Sequence, residues 1–405
     1  MILPKITDYQ FQDKKVLVRA DLDLVLTNGR VSDDSRLRAL LPTLEHLLYQ
    51  EAKVILIGHL GRPGGKVVKR LSLKPVAQRL KELLDDQSPI TTCQLRNFQA
   101  FKISENLSLL ENLRFYPGEE ENDQNFAREL ACLGNFYINE AFAASHREQA
   151  SIVGVAKLLP HAIGFNFDQE VENLSKIFKN PPKPIVFVIG GAKVETKLPV
   201  IANLFERVDI FLLGGVVANT FMVAEPNHPK IIGQSVFDGQ LLDEAKKILA
   251  KGRGEKIEFP GLGKIWKIKI PASVVIAQKE TNNFSGIEEV EIGGKSGEVF
   301  NQKKMIVDIG FQAGELYGKI IKQAGTVIFA GPMGLIEKEA FSHGTKAVLE
   351  AMAKSSAYKV AGGGDTIAAL NKFRLLSKMD FVSLGGGAML EYLAKGSLPG
   401  IEALK

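Results

Sequence analysis

Short apolar runs that end in glycine punctuate the second half of the chain. Residues 185–189 lead into Gly190-Gly191-Ala192-Lys193, and 210–213 lead into Gly214-Gly215. Residues 326–329 precede Gly331-Pro332-Met333-Gly334, 358–360 precede Ala361-Gly362-Gly363-Gly364-Asp365-Thr366, and 381–384 precede Gly385-Gly386-Gly387-Ala388. Apolar residues at consecutive rather than alternating positions predict parallel strands buried on both faces. Ligands of open α/β sheets sit beyond the carboxyl ends of such strands, so glycine loops recurring there predict a nucleotide platform. The stretch 367–370 has helical character, so three glycines open a helix whose free N–H groups and dipole suit a phosphate. Asp365 would repel a bare phosphate, which predicts a metal ion travelling with it.

The first half has the same strand pattern but other chemistry at the strand ends. Residues 15–18 lead into Arg19-Ala20-Asp21-Leu22-Asp23, and 53–57 into Gly58-His59-Leu60-Gly61-Arg62-Pro63. Glu111-Asn112-Leu113-Arg114-Phe115 and Asn139-Glu140-Ala141-Phe142 follow, the latter running into Ala143-Ala144-Ser145-His146-Arg147. Arg36 opens a helix that continues through 37–49. Each arginine taken alone reads as a solvated surface charge. Arg36, Arg62, Arg114 and Arg147 at element ends, with His59 and His146, instead predict a basic basket. The planar guanidinium fork suits carboxylate and phosphate, so the predicted guest is a small phosphorylated anion.

Residues 170–179 read as a helix that Asn180-Pro181-Pro182-Lys183-Pro184 must stop, because proline removes donors and excludes helical geometry from its predecessor. This predicts an N-terminal domain at 1–169, a connector at 170–184 and a C-terminal domain at 185–389. The predicted class is α/β with doubly wound parallel sheets. A length of 405 residues suffices for two large cores, and 45% apolar with 24% charged residues is ordinary for a globular protein. MILPKITDYQ lacks the pattern of a leader, and the most apolar stretch, 211–224, is interrupted by Asn219 and Thr220 and is shorter than a ~20-residue membrane span. Cys93 and Cys132 form neither a disulfide framework nor a metal-ligand spacing, so a reduced cytoplasmic protein is expected. The net charge of +5 comes from basic residues mixed with acids, not from a basic run. A local cluster for a small anion explains it better than nucleic acid does, and neither a membrane nor an oligomer is indicated.

The motifs RADLD, GHLGRP, ENLRF, NEAFAASHR, GGAKVETK, GGVVANTF, GPMG, GGGDT and VSLGGGA together resemble, in order and spacing, the phosphoglycerate kinase family. The terminal Lys395-Gly396-Ser397-Leu398-Pro399-Gly400 is similar as well, so the resemblance covers essentially the whole chain. It implies two Rossmann-like domains joined by a hinge helix, with residues from about 390 to 405 packing back on the first. The implied reaction is reversible, Mg²⁺-dependent phosphoryl transfer between 1,3-bisphosphoglycerate and ADP, giving 3-phosphoglycerate and ATP. Phosphoglycerate would be held by Asp21, Asp23, Arg36, His59, Arg62, Arg114 and Arg147. The nucleotide would be held by Gly191, Lys193, Lys197, Gly215, Pro332, Glu337, Gly362, Gly363, Gly364, Asp365 and Thr366, with Asp365 facing the metal. Arg36, Lys193, Lys197, Gly363 and Gly364 would surround the transferred group.

Several positions depart from the family pattern. Asp23 stands where Asn is usual, Phe329-Ala330 where Trp-Asn is usual, and Val216 replaces a glycine next to which adenine would lie. Ser273, Phe311, Phe381 and Leu384 also differ, and 251–264 reads as a lengthened surface loop. Three readings follow: an active kinase with a drifted nucleotide pocket, a weakened paralogue that binds phosphoglycerate or nucleotide in regulation, and a kinase with altered nucleotide preference. Retention of Arg36, Lys193, Lys197 and Asp365 favours catalysis.

Overall fold

The computed structural model describes residues 3–225, 232–252, 256–281, 283–292 and 303–405. The chain forms two compact units, one running to Asn173 and taking in Ser397–Lys405, the other running from Leu174 to Gly396.

The first unit is built on a seven-stranded sheet. Its spatial order is Thr91–Leu95, Phe98–Lys102, Leu107–Leu110, Lys53–Ile57, Lys15–Arg19, Phe136–Asn139 and His161–Ile163. The last five are parallel, and the first two join as antiparallel strands. Numbered along the chain, the parallel strands lie in the order 3-2-1-4-5, so the order reverses between Lys15–Arg19 and Phe136–Asn139. The helix Ser35–Tyr49 turns Leu37, Leu40, Leu44 and Leu47 inward at three- and four-residue spacing, where they join Val16, Val18, Val54 and Leu56 in one core. Burial of each such side chain contributes about 1.5–3 kcal/mol.

Six parallel strands form the main sheet of the second unit. They lie in the order Ile268–Lys269, Ile210–Leu213, Ile185–Ile189, Thr326–Ala330, Tyr358–Gly362, Phe381–Ser383. In chain order this is 3-2-1-4-5-6, with its switch between Ile185–Ile189 and Thr326–Ala330. Both of these strands are buried at every residue, which is why they read as unbroken apolar runs. Ser273–Lys279 pairs with Phe284–Glu291 and Lys304–Ile309 in a separate antiparallel sheet.

Three local expectations change. The stretch 251–264 is not simply a loop: Lys256–Phe259 and Gly263–Trp266 form an antiparallel hairpin, with 253–255 outside the described residues. Phe259 is buried and Ile257 and Ile265 pack on the second core, so a period-two apolar pattern lay beneath the charged residues. The connecting helix is Phe165–Ser175 and not 170–179. Its start is set by Glu140, whose carboxylate accepts hydrogen bonds from the Asn166 and Phe167 amides at 3.1 and 3.0 Å. Finally, Gly387–Lys395 packs on Val194–Leu204 inside the second unit, and only Ser397–Lys405 belongs to the first.

Candidate functional sites at the sheet switch points

At the switch point of the first sheet the chain gathers cations around a neutral imidazole. Arg19, the last residue of its strand, is fully buried; its Nε donates to Ser151 Oγ at 2.7 Å and its Nη2 approaches His59 Nδ1 at 2.8 Å. A guanidinium can only donate, so His59 Nδ1 accepts and the ring proton sits on Nε2, 3.8 Å from Asp23 Oδ2. Burial, then repulsion from Arg19, Arg114, Arg147 and Arg36, holds His59 well below the usual histidine range. Ser151 Oγ donates a hydrogen bond to buried Glu119 Oε1 at 2.6 Å, which places a carboxylate behind Arg19.

Six of the seven predicted residues of this unit, all but Arg62, fall into the same cluster. Arg36 Nη1 donates to Asp21 Oδ1 at 3.1 Å and to the Asp23 carbonyl at 2.9 Å. Burial raises the pKa of Asp21 and the Arg36 charge opposes that rise. Asp23 Oδ1 accepts the Gly61 amide at 2.8 Å, a bond that an Asn oxygen would make equally well. Arg114 donates to the Gly61 carbonyl at 2.7 Å, while its Nη2 is buried without a hydrogen-bond partner among the described residues. Burial and then repulsion from Arg147 bring the Arg114 pKa down to about 10. Arg147 Nε donates to His146 Nε2 at 3.3 Å, and Arg62 is exposed. Asp21, Asp23, Glu119 and Glu120 offset much of the arginine charge, Glu120 lying 3.3 Å from Arg114 Nε, and the buried Arg114 Nη2 leaves a donor suited to an anion. Arg19 was not among the predicted site residues; an arginine ending an otherwise apolar strand, KVLVR, was the available signal.

At the switch point of the second sheet the glycine loops serve two different ends. Three of them interlock. A Cβ on Gly190 would lie 2.2 Å from the Pro332 carbonyl oxygen, and one on Gly331 would lie 2.3 Å from the Gly190 oxygen. The amide of Gly215 bonds the Met333 carbonyl and that of Val216 bonds the Gly191 carbonyl, so this helix start is satisfied by protein. The loop after Tyr358–Gly362 behaves otherwise. Gly363, at φ +103, caps the helix Gly364–Lys372; no side chain caps that helix, and a Cβ on Gly364 would meet nothing within 4 Å. Gly364 and Asp365 at this start are exposed, and the helix dipole adds partial positive charge there.

Beside it lies a cavity of about 170 Å³, lined by Gly191, Gly215, Val216, Pro332, Glu337 and Asp365 among others. Predicted nucleotide contacts from four loops therefore share one wall. Lys193 is exposed and Lys197 buried, and neither lines the cavity. Lys197 is nevertheless adjacent, since its Cε lies 4.0 Å from the place a Gly191 Cβ would occupy. Its Nζ donates to the Lys193 carbonyl at 3.4 Å; burial lowers its pKa and the charge of Asp365 opposes that. Thr366 Oγ1 accepts the Gly331 amide at 2.8 Å, tying the open helix start to the loop after the neighbouring strand Thr326–Ala330. Gly362 is buried against Met389 and is a packing glycine. Ala330 is buried in its strand, with its carbonyl accepting the Gly190 amide at 3.1 Å. Ser273, another departure, accepts the Ala313 amide at the start of Phe311–Lys322. Asp308 and Asn219 also line the cavity, and the sequence reading had not placed them there.

Asp365 is exposed, and no cluster of three or more metal-ligating side chains occurs among the described residues. One carboxylate beside a helix start suited to phosphate fits the needs of Mg²⁺, which takes one or two protein ligands together with substrate phosphates.

The phosphoglycerate kinase family model matches residues 6–396. A phosphoglycerate kinase of Herpetosiphon aurantiacus is 41% identical, with 98% of each chain covered, and one of Moorella thermoacetica is 40% identical with the same coverage. Among solved structures, phosphoglycerate kinase from Coxiella burnetii superposes with a TM-score of 0.82 at 35% identity, covering 100% of this chain and 99% of that one. The enzyme from Pyrococcus horikoshii also gives 0.82, at 30% identity with 99% and 98% covered. With two doubly wound sheets, a cationic cluster at one switch point and an open helix start beside the other, the chain belongs to the phosphoglycerate kinase family.

Proposed function

We propose that this chain catalyses the reversible transfer of a phosphoryl group from 1,3-bisphosphoglycerate to ADP, giving 3-phosphoglycerate and ATP in glycolysis. The reading that goes with it is a cytoplasmic monomer that bends about the helix Phe165–Ser175 and the following connector. The observation that carries the assignment is the uncapped start of Gly364–Lys372 beside Lys197, Asp365 and the switch-point cavity. That combination offers N–H groups, a cation and one carboxylate to a polyphosphate.

Phosphoryl transfer asks the protein for in-line positioning and for positive charge around the moving group, with little covalent help. In this proposal Asp21, Asp23, His59, Arg62, Arg114 and Arg147 orient the phosphoglycerate. Arg36 brings charge to its acyl end. Gly191, Gly215, Pro332, Glu337 and Thr366 shape the nucleotide site, while Lys193, Lys197, Gly363 and Gly364 present positive charge and N–H groups to the phosphates. Magnesium would be held by Asp365, and when bound it offsets phosphate charge. Exclusion of water during transfer protects the acyl phosphate from hydrolysis.

Lys197→Ala tests the assignment. The expected result is a fall in kcat on the order of a hundredfold with KM little changed, because the charge matters most in the transition state. A fall below about threefold, in a variant whose melting shows a native fold, rejects the role. Val216 on the cavity wall favours altered nucleotide preference as the second reading.

A further inference from the structure

Asn219 lies on the helix Gly215–Ala224 and interrupts its apolar sequence. It lines the switch-point cavity yet is only 4% exposed. Its Nδ2 donates to the Val236 carbonyl at 2.9 Å, which fixes the amide with Oδ1 turned away from that bond. The arrangement is braced, because Thr220 Oγ1 donates to the Val216 carbonyl at 2.9 Å and accepts the Asp238 amide at 3.0 Å. Oδ1 itself is buried and has no hydrogen-bond partner among the described residues. A buried acceptor left unpaired is costly, and its persistence beside a cavity calls for a donor from a ligand.

The rest of the wall limits what that donor is. Val216, Val307, Met333 and Leu335 supply apolar surface that suits a flat ring. The charged side chains on the wall, Asp308, Glu337 and Asp365, are all carboxylates. Asp308 is occupied by the Gly344 and Ile309 amides at 2.8 and 2.9 Å. The wall thus provides side-chain acceptors for a ring bearing an N–H donor, and little for a ring edged by carbonyls.

We propose that Asn219 is a base-specificity residue whose Oδ1 accepts a hydrogen bond from the exocyclic amino group of adenine. This rests on the reading of the cavity as the nucleotide site. The amino group satisfies the buried oxygen, whereas a ring with hydrogen or a carbonyl at that position leaves it unpaired or opposed.

The test compares ADP with purine riboside 5′-diphosphate, which lacks only the amino group, by calorimetry on the unaltered protein and on Asn219→Leu and Asn219→Ala. The unaltered protein should bind ADP roughly tenfold tighter than the analogue, and both variants should bind the two ligands alike. A ratio near one for the unaltered protein, or an undiminished ratio in folded variants, overturns the proposal. Val216→Trp, which fills the cavity, separates the levels of the argument. If it abolishes ADP binding while the Asn219 variants keep full discrimination, only the role of Asn219 fails. If it leaves ADP binding unchanged, the placement of the nucleotide in this cavity fails with it.

Discussion

At the scale of residues, the first unit shows how a charge is positioned by a group that need not touch substrate. Arg19 fixes the tautomer of His59 and is itself backed by Ser151 and Glu119, all within a buried chain of bonds at 2.6–2.8 Å. Arg19→Met deletes the donor to His59 and leaves the Glu119 carboxylate buried without its counter-charge. Stability should fall by about 3 kcal/mol in denaturant titration, and 3-phosphoglycerate affinity by roughly tenfold in calorimetry. Adding Glu119→Gln should recover part of the stability and none of the affinity, since only the first effect comes from the stranded carboxylate. Equal recovery of both would show that Arg19 acts through folding alone.

At the scale of elements, glycines of identical appearance in sequence carry opposite expectations. Gly331→Ala forces a Cβ to within 2.3 Å of the Gly190 oxygen at a backbone φ of +97. The cost should be on the order of 3 kcal/mol, with the nucleotide loops displaced. Gly364→Ala meets no protein atom within 4 Å. It should melt no lower than the parent protein but turn over about tenfold or more slowly, because in the proposed mechanism the methyl group would stand where phosphate approaches. Full turnover by that variant would remove the helix start from the proposed mechanism.

The capping of Phe165–Ser175 by Glu140 has a pH signature. Burial pushes the Glu140 pKa up from 4.5 to about 7, against the bonds from Thr43, Phe167 and Asn166 that favour its charged form. The folded protein therefore holds this proton more tightly than the unfolded chain does. The resulting stability is complete below pH 4.5 and is lost as pH rises through about 7. Asp308, also raised to about 7, acts in the same direction. Glu140→Gln should reduce the loss of unfolding free energy between pH 5 and 7.5 by about 2 kcal/mol, leaving the part due to Asp308. An unchanged pH slope would show that Glu140 does not hold the proton.

At the scale of the whole molecule, the chain leaves its first unit after Asn173 and re-enters it at Ser397. The return is fastened by Gly400, whose amide bonds the Ser145 carbonyl at 2.8 Å, and by buried Leu398, Ile401 and Leu404. Removing 397–405 should destabilise the first unit by about 5 kcal/mol, from three large apolar side chains at the usual burial energies. Calorimetry should then show the transition of that unit moving down while the second stays in place. A single transition shifted as a whole would mean that the two units melt cooperatively.

The sequence by itself determined the parallel strands that run into the motif loops, because burial on both faces writes a continuous apolar run that needs no neighbour to be recognised, whereas the hairpin Lys256–Phe259 with Gly263–Trp266 was hidden among charged residues. It also determined the family, since motifs such as GHLGRP, GGAKV and GGGDT keep their order along the chain. Tertiary structure decided what each glycine is for: the loops at Gly190 and Gly331 meet only because the sheet order places Ile185–Ile189 beside Thr326–Ala330. It likewise decided the start of Phe165–Ser175, through a carboxylate 26 residues away from the amide it caps. Arg19 and Asn219 were hidden for the same reason. A polar residue within an apolar run reads as an interruption, and only the fold shows which buried atoms have a partner and which face a cavity.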